Sequence, residues 1–330
     1  MIRIIKTTQL SEAELSEISE LITQSEAIDG FSTHFYVNSM VNRGNGAITD
    51  YLLYSDNQLA ACVSFFMFGD NFVEICALTH PSYRKKGYFT RLFGEAQIEL
   101  SLLQLDYCIF CCPKESVYAK KLLKRYQAVY QSSESNMAID REAYFDLYSA
   151  DLTNPAPIQI KKAKKSDAET LARLGAEAFK SSYSEELARI MVILEEPCRS
   201  AFLAFPENNL LKEPLKNPIG PIGKVHLIKN NQIVLLHDFC VLVENKDKDK
   251  DKNKNKTNNT LAAEFLKLVL AAAFQVRTKP AQQVKTLVGS NEIIEMKLYK
   301  NLGFQVVSTM EYWRCNLLPS DTAYPSLAIH

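Results

Sequence analysis

The sequence predicts an α/β (α+β) chain of two tandem domains, each a mixed, mostly antiparallel sheet flanked by helices. Three observations lead there. The 330 residues, 47% of them hydrophobic, suffice for two cores. One order of elements (strand, helix, three strands, helix, strand, helix, strand) runs through residues 1-150 and restarts after a Pro/Asn-rich linker, Asp151-Leu152-Thr153-Asn154-Pro155-Ala156-Pro157. Both halves also open alike. A short apolar strand is followed by a capping box, Ser11…Glu14 or Ser166…Glu169, ahead of an apolar helical stripe.

In the first half, Leu15, Ile18, Leu21 and Ile22 share one helical face. Residues 25–50 are mixed and polar. Tyr51–Tyr54, Leu59–Phe68 and Phe72–Leu78 read as strands, separated by Asp56-Asn57 and Gly69-Asp70-Asn71 turns. A helix with a stripe of Leu92, Phe93, Ala96, Leu100 and Leu103 follows. Then come a strand at Tyr107–Cys112, a helix at Ser116–Tyr126 and a strand at Val129–Ile139. The second half, expected over 158-318, has strands at Ile158–Ile160, Val225–Leu227, Ile233–Val243 and Thr286–Val288. An apolar helix covers Leu261–Val276, a second helix runs from Asn291 to Leu302 before Gly303, and Gln305–Cys315 closes the repeat. Residues 319-330 form a tail. At their ends the halves align at one common offset: Leu122-Leu123-Lys124 with Leu298-Tyr299-Lys300, and Ser132-Ser133 with Ser308-Thr309. The capping boxes lie at a shorter offset, so the second half has gained length. Part of the gain is residues 245-259, NKDKDKDKNKNKTNN, expected to be a disordered charged insertion because nothing in it can bury surface.

Lys+Arg and Asp+Glu both number 38, with a pI near 6.9, which gives no global attraction to nucleic acid or to a membrane surface. Eight cysteines occur with no Cys/His cluster at zinc spacing, so no metal is expected and the thiols read as buried and reduced. The opening MIRIIKTTQ lacks a signal-peptide core, and no apolar run would span a bilayer. The expected setting is cytoplasmic.

The stretch with chemistry is Phe72–Thr90, FVEICALTHPSYRKKGYFT. An apolar strand interrupted by Glu74 meets a turn, and then a basic loop with a glycine opens a helix. Free backbone N–H groups and the positive end of the helix dipole make such a junction an anion cradle. Glu74 reads as a general base if buried, or as a solvated strand residue if not. His80 in the turn is either a base or merely exposed.

This order of elements, with Arg84-Lys85-Lys86-Gly87-Tyr88-Phe89 after the fourth strand, resembles the GNAT (GCN5-related) N-acetyltransferase superfamily. Arg84 and Gly87 match its phosphate-loop pattern, whereas Phe89 stands where a small residue is usual. Leu78-Thr79-His80-Pro81-Ser82-Tyr83 is similar to the family's approach to that loop. Asn291 to Phe304 resembles its Asn…Leu-Tyr-x-x-x-Gly-Phe helix and turn. The resemblance implies acetyl-CoA as co-substrate. Arg84, Lys85, Lys86, Gly87, Tyr88, Phe89 and Thr90 would hold the pyrophosphate. Leu78 and Thr79 would pair with the pantetheine arm, which requires the fourth and fifth strands to splay, and Ser116 would add a further contact. It implies Glu74 as base and a tyrosine on the later helix as general acid. In the first half that position is Leu123, flanked by Tyr118 and Tyr126 as substitutes; in the second it is Tyr299, but the cradle is missing there. The second repeat is therefore expected to be a degenerate, non-catalytic copy. The function implied is transfer of an acetyl or other short acyl group to a primary amine of a small molecule or peptide. The alternative is a catalytically inactive acyl-CoA-binding or regulatory module. Phe31, Phe35, Tyr36, Asp29 and Asp50 hint at a cationic acceptor.

Overall fold

The computed structural model describes residues 1–33, 35–41, 46–67, 72–103, 105–149, 157–206, 220–242, 251–275 and 280–317. The chain forms two compact units. Unit 1 is Met1–Glu134 with the stretch from Ser308, and unit 2 is Ser135–Val307. These units differ from the expected ranges 1-150 and 158-318, because each sheet is completed by a strand from the other end of the sequence. Residues 151–156 of the expected linker and the expected tail lie outside the described residues.

Unit 1 runs β1 (Ile2–Thr7), α1 (Glu12–Asp29), α2 (Val37–Met40), β2 (Asp50–Ser55), β3 (Gln58–Phe66), β4 (Phe72–Thr79), α3 (Tyr88–Leu102), β5 (Tyr107–Pro113) and α4 (Val117–Arg125). The first part of β6 (Val129–Asp140) and most of β12 (Gln305–Asn316) also belong to it. Its strands lie in the order β1-β2-β3-β4-β5-β12. The Ser11 box forms: the Ser11 N–H donates to Glu14 Oε2 at 2.8 Å, and the Glu14 N–H to Ser11 Oγ at 3.3 Å. α3 packs Leu92, Phe93, Ala96 and Leu100 on one sheet face, against Val63, Phe65, Val73, Ile75 and Phe110. α1 packs Ile18 and Leu21 on the other, against Leu52, Cys62, Phe66, Cys76 and Leu78. A strand covered on both faces is buried at every residue, as β2 is.

Unit 2 takes the rest of β6 and then α5 (Arg141–Tyr148), β7 (Ile158–Lys162), α6 (Ala168–Phe179), α7 (Tyr183–Glu195), β8 (Arg199–Pro206), β9 (Gly223–Asn230), β10 (Ile233–Val241), α8 (Asp251–Phe274), β11 (Gln283–Gly289) and α9 (Ile293–Asn301). Its strand order is β6-β11-β10-β9-β8-β7. α5, α7 and β8 are absent from the sequence reading, which left Cys198–Lys216 without an element. The Ser166 box is replaced by a 3-10 turn over Lys165–Asp167, where Asp167 Oδ2 accepts the Lys164 N–H at 2.8 Å. The expected insertion is corrected as well. Residues 245–250 lie outside the described residues, but from Asp251 the chain is already helical, ten residues ahead of Leu261. An apolar helix that is already nucleated extends into polar sequence at little cost per residue.

Each unit contains a parallel strand pair that separates partway. In unit 1, β4 stays with β3 as far as Thr79↔Ala61, but its pairing with β5 ends at Ile75↔Phe110. β5 stays with β12 as far as Pro113↔Met310. In unit 2, β10 stays with β9 as far as Val241↔Gly223, while its pairing with β11 ends at Leu236↔Thr286. The facing edges of Cys76–Thr79 and Cys111–Pro113, and of His237–Val241 and Leu287–Gly289, thus carry backbone groups with no partner across the gap.

Candidate active site

At the end of the unit 1 opening, β4 passes through a 3-10 turn (Pro81–Tyr83) into the basic loop. Lys85 and Gly87 are left-handed there, with φ of 62° and 76°. The first helical bond of α3 is Arg91 N–H to Gly87 O, and no side chain caps the helix. Among the described residues, no backbone carbonyl outside the helix accepts from the N–H groups of Lys85, Lys86, Gly87, Tyr88, Phe89 or Thr90. Six consecutive donors at a helix start, with two left-handed residues among them, make a junction of the kind that cradles an anion. A Cβ on Gly87 would meet nothing within 4 Å, so the glycine is required by its φ rather than by crowding.

The loop's side chains divide between cradle and scaffold. Arg84 is scaffold: its guanidinium makes two bonds of 2.6 Å to the Asp29 carboxylate, Nε donates to Thr79 O at 3.2 Å, and its N–H is taken by Pro81 O. That clamp ties the end of α1 to the end of β4. It also removes Asp29 from the expected acceptor groove. Asp50 is likewise removed, being fully buried with Thr49 Oγ1 at 2.8 Å. Lys85 Nζ lies 5.5 Å from the Tyr118 ring centroid and Lys86 Nζ 4.8 Å from that of Tyr83. Tyr88 stacks on Tyr83 and donates to Ser55 Oγ. Phe89, in the usually small position, turns away to stack on Phe93. His80 is a structural cap. Its Nδ1 accepts the Ser82 N–H, which leaves Nε2–H to donate to Gln24 Oε1 at 2.8 Å. Burial lowers its pKa. A surface pocket of about 290 Å³ beside His80 is lined by Glu17, Glu20 and Asp56 and does not include the β4–β5 opening.

Glu74 sits one residue before the strands part. It is half-buried; its Oε2 accepts from Tyr36 Oη at 3.3 Å and from the Cys111 thiol at 3.6 Å. Burial pushes its carboxyl up, the charge of Glu134 adds to that, and the two hydrogen bonds oppose it. Tyr312 Oη donates to Glu134 Oε2 at 2.8 Å and also reaches the Tyr36 phenol. Burial raises both phenols, whereas Cys111 is raised first by its bond to Cys76 and then by burial. Tyr36 was expected only as an aromatic of the acceptor groove, and Cys111, Glu134 and Tyr312 were not foreseen as members of the site. Of these three, Cys111 had a signal, as a residue of the fifth strand near the expected splay.

The tyrosines expected as acids fall elsewhere. Tyr126 is 5% exposed, its ring edge-on to Phe89 and Phe93, so it is a core residue. Tyr118 is 65% exposed on the rim of the loop. Leu123 is in the core. Ser116 Oγ caps α4 through the Ala119 N–H at 3.3 Å. In unit 2, Tyr299 is buried against Phe304 and therefore does not face a reactant. No group of three His, Cys, Asp or Glu side chains is placed to hold a metal among the described residues, and none of their helices is long and apolar enough to cross a membrane.

No protein-family model and no curated protein sequence matches the chain. Solved structures do. A GCN5-related N-acetyltransferase from Sphaerobacter thermophilus superposes with a TM-score of 0.69 at 16% identity, covering 98% of both chains. A tandem GNAT protein from the clavulanic acid biosynthesis pathway superposes at 0.65 and 14% identity, covering 97% of this chain and all of that one. The fold is that of the GCN5-related N-acetyltransferases, carried twice in one chain.

Proposed function

We propose that unit 1 is a CoA-dependent N-acyltransferase that moves an acetyl or other short acyl group directly from acetyl-CoA to a primary amine of a small molecule or peptide. The observation that carries this reading is the opening between β4 and β5, with a cradle of six N–H donors at one end and a half-buried glutamate at the other. The donor's pyrophosphate fits the cradle, with Lys85 and Lys86 adding charge, and its amide-bearing arm pairs with the edge at Leu78 and Thr79, where the Thr79 carbonyl also accepts from Arg84 Nε. Glu74 takes the proton of the incoming ammonium. The amine nitrogen bonds to the thioester carbon, and the C–S bond breaks. Tyr36, hydrogen-bonded to Glu74, returns a proton to the departing thiolate in this reading. The same reading places the protein in the cytoplasm.

The second reading is an acyl-CoA-binding module without turnover, favoured by the apolar Leu123 where the family's acid is usual. Calorimetry with acetyl-CoA tests both readings: absence of binding at millimolar ligand refutes them together. Thiol release with a panel of amines and peptides then separates enzyme from binder.

A further inference from the structure

Glu74 is one end of a longer hydrogen-bonded chain, of which the reaction above uses only Glu74 and Tyr36. Four side chains from separate segments of unit 1 form it: Glu74 on β4, Tyr36 just before α2, Tyr312 on β12 and Glu134 on β6. Tyr36 Oη lies 3.3 Å from Glu74 Oε2, the two phenols share a hydrogen bond, and Tyr312 Oη lies 2.8 Å from Glu134 Oε2. Packing fixes both rings. Tyr36 stands edge-on to Phe66 with centroids 4.9 Å apart, and Tyr312 is buried beside Ile109 and Met310. Two thiols also face the chain. Cys111 donates to Glu74 Oε2 at 3.6 Å and is bonded to Cys76. That bond and burial keep Cys111 protonated, so it supports the chain as a donor and takes no proton from it.

Counting protons shows what the chain lacks. A phenol has one proton to donate, and a carboxylate has none. With both acids ionised, Tyr36 gives its proton to Glu74 and Tyr312 gives its proton to Glu134. The two phenol oxygens then face each other with lone pairs alone, and a hydrogen bond is missing beside the buried Tyr312, which is costly. One added proton fills every contact. Placed on Glu74, it lets each member donate toward Glu134; placed on Glu134, it lets each member donate toward Glu74. The two arrangements differ by a shift of protons along the chain, each moving to the next oxygen. Burial and, after it, the charge of Glu134 favour the proton at Glu74, against the two bonds that carboxylate accepts.

We propose that Tyr36, Tyr312 and Glu134 form a proton relay behind Glu74, in which one proton shared between the two carboxylates supplies the departing thiolate while Glu74 receives protons from the amine. The relay rests on the reading of unit 1 as an acyltransferase. In that reaction the ammonium loses two protons, the thiolate gains one, and one goes to solvent. A single carboxyl cannot be an empty base and a proton source in the same state. With the shared proton at Glu134, Glu74 is empty and takes the first proton of the ammonium. The amine lone pair forms the C–N bond, and the C–S bond breaks with its electron pair leaving on sulfur. Tyr36 gives its proton to that thiolate, Tyr312 refills Tyr36, and Glu134 refills Tyr312. The proton on Glu74 then shifts along the chain to Glu134, and the emptied Glu74 takes the second nitrogen proton. The excess proton leaves for solvent from the half-exposed Glu134, and the chain is restored. Without the relay, Tyr36 would have to become a phenolate, which its burial opposes.

The test uses the full chain with glutamate labelled by carbon-13 at the carboxyl, Glu74 and Glu134 being assigned through Glu→Gln variants. In the free protein both signals titrate in the same two steps, with one proton kept by the pair between them. Tyr312→Phe, which keeps the ring and removes the link, narrows the separation of the steps. In thiol release from acetyl-CoA with ethylamine, Tyr312→Phe and Glu134→Gln each lower kcat about 100-fold at an unchanged KM for acetyl-CoA, and Glu134→Asp restores part of the loss. Independent single-step titrations, a separation that Tyr312→Phe leaves unchanged, or a kcat that neither variant lowers overturns the relay. The unit 1 reading fails separately, by absence of acetyl-CoA binding in calorimetry, whereas the titrations read the chain without any ligand.

Discussion

Unit 1 and unit 2 share a strand order and an opening between parallel strands, but they place different groups there. Unit 1 sets, at one end of the opening, a run of backbone donors that among the described residues no carbonyl outside α3 accepts, and at the other an acid whose carboxyl is raised by burial. Unit 2 sets a chain of paired charges, Lys224 with Glu186, Glu186 with Arg189 and Arg189 with Asp238, beside the two neutral imidazoles of His226 and His237, with Asp238 held far below the ordinary carboxylate range by His226 and Arg189 despite its burial. The fold supplies the gap. The side chains around the point where the strands part decide what the gap can hold.

The largest expected effect breaks the unit 2 network. Lys224→Ala removes the buried cation from Glu186 and should cost about 3–5 kcal/mol of unit 2 stability, read by chemical denaturation. Replacing Lys224 and Glu186 together by Met and Leu should restore most of it. In unit 1, Gly87→Val forces a β-branched residue to φ 76° and so distorts the loop. Acetyl-CoA affinity should fall about 100-fold or more by calorimetry, while the unfolding of unit 2 stays unchanged.

Glu74→Gln should lower turnover about 100-fold and abolish the acid limb of the rate profile. In the unsubstituted chain that limb lies above the usual carboxylate range, since the base must lose its proton to work. Stability moves the other way. A carboxyl whose pKa is raised on folding contributes most below its unfolded pKa, and the contribution is lost as pH rises through the folded value. Glu74→Gln therefore gains stability relative to the native chain as pH rises through that window. Asp238 has the opposite sign: its contribution is present above the unfolded carboxylate pKa and disappears in strong acid, so Asp238→Asn should destabilise at neutral pH and matter least at low pH. The smallest effect expected is from Asp29→Ala. It frees Arg84 and loosens the loop by about 1–2 kcal/mol, seen as weaker acetyl-CoA binding with an unchanged rate limb.

Much of unit 1 was legible because its signals are local. The Ser11 box, the period-3.6 stripes around Ile18 and Leu92, and the strand, basic loop and helix junction at Gly87 each depend on residues close in sequence. Local signals also misled. The Ser166 box lost to Asp167 in a tighter turn, and the polar stretch from Asp251 was drawn into α8 by the apolar helix that follows it. β8 was passed over, although Arg199–Pro206 is a short apolar run of the kind that a buried strand shows.

By itself the sequence determined the tandem order of elements, the position of the one glycine cradle and the acid on the strand before it. Hydrophobic period, caps and left-handed glycines are set by neighbours along the chain. Only the tertiary structure decided that the sheets exchange their closing strands, which brings Tyr312 and Glu134 toward Glu74, that Arg84 serves Asp29 rather than a ligand, and that His226 meets Asp238. Those pairings join residues far apart in the chain through strand register and the bulge between His237 and Cys240, and no pattern along the sequence encodes which distant strand lies alongside.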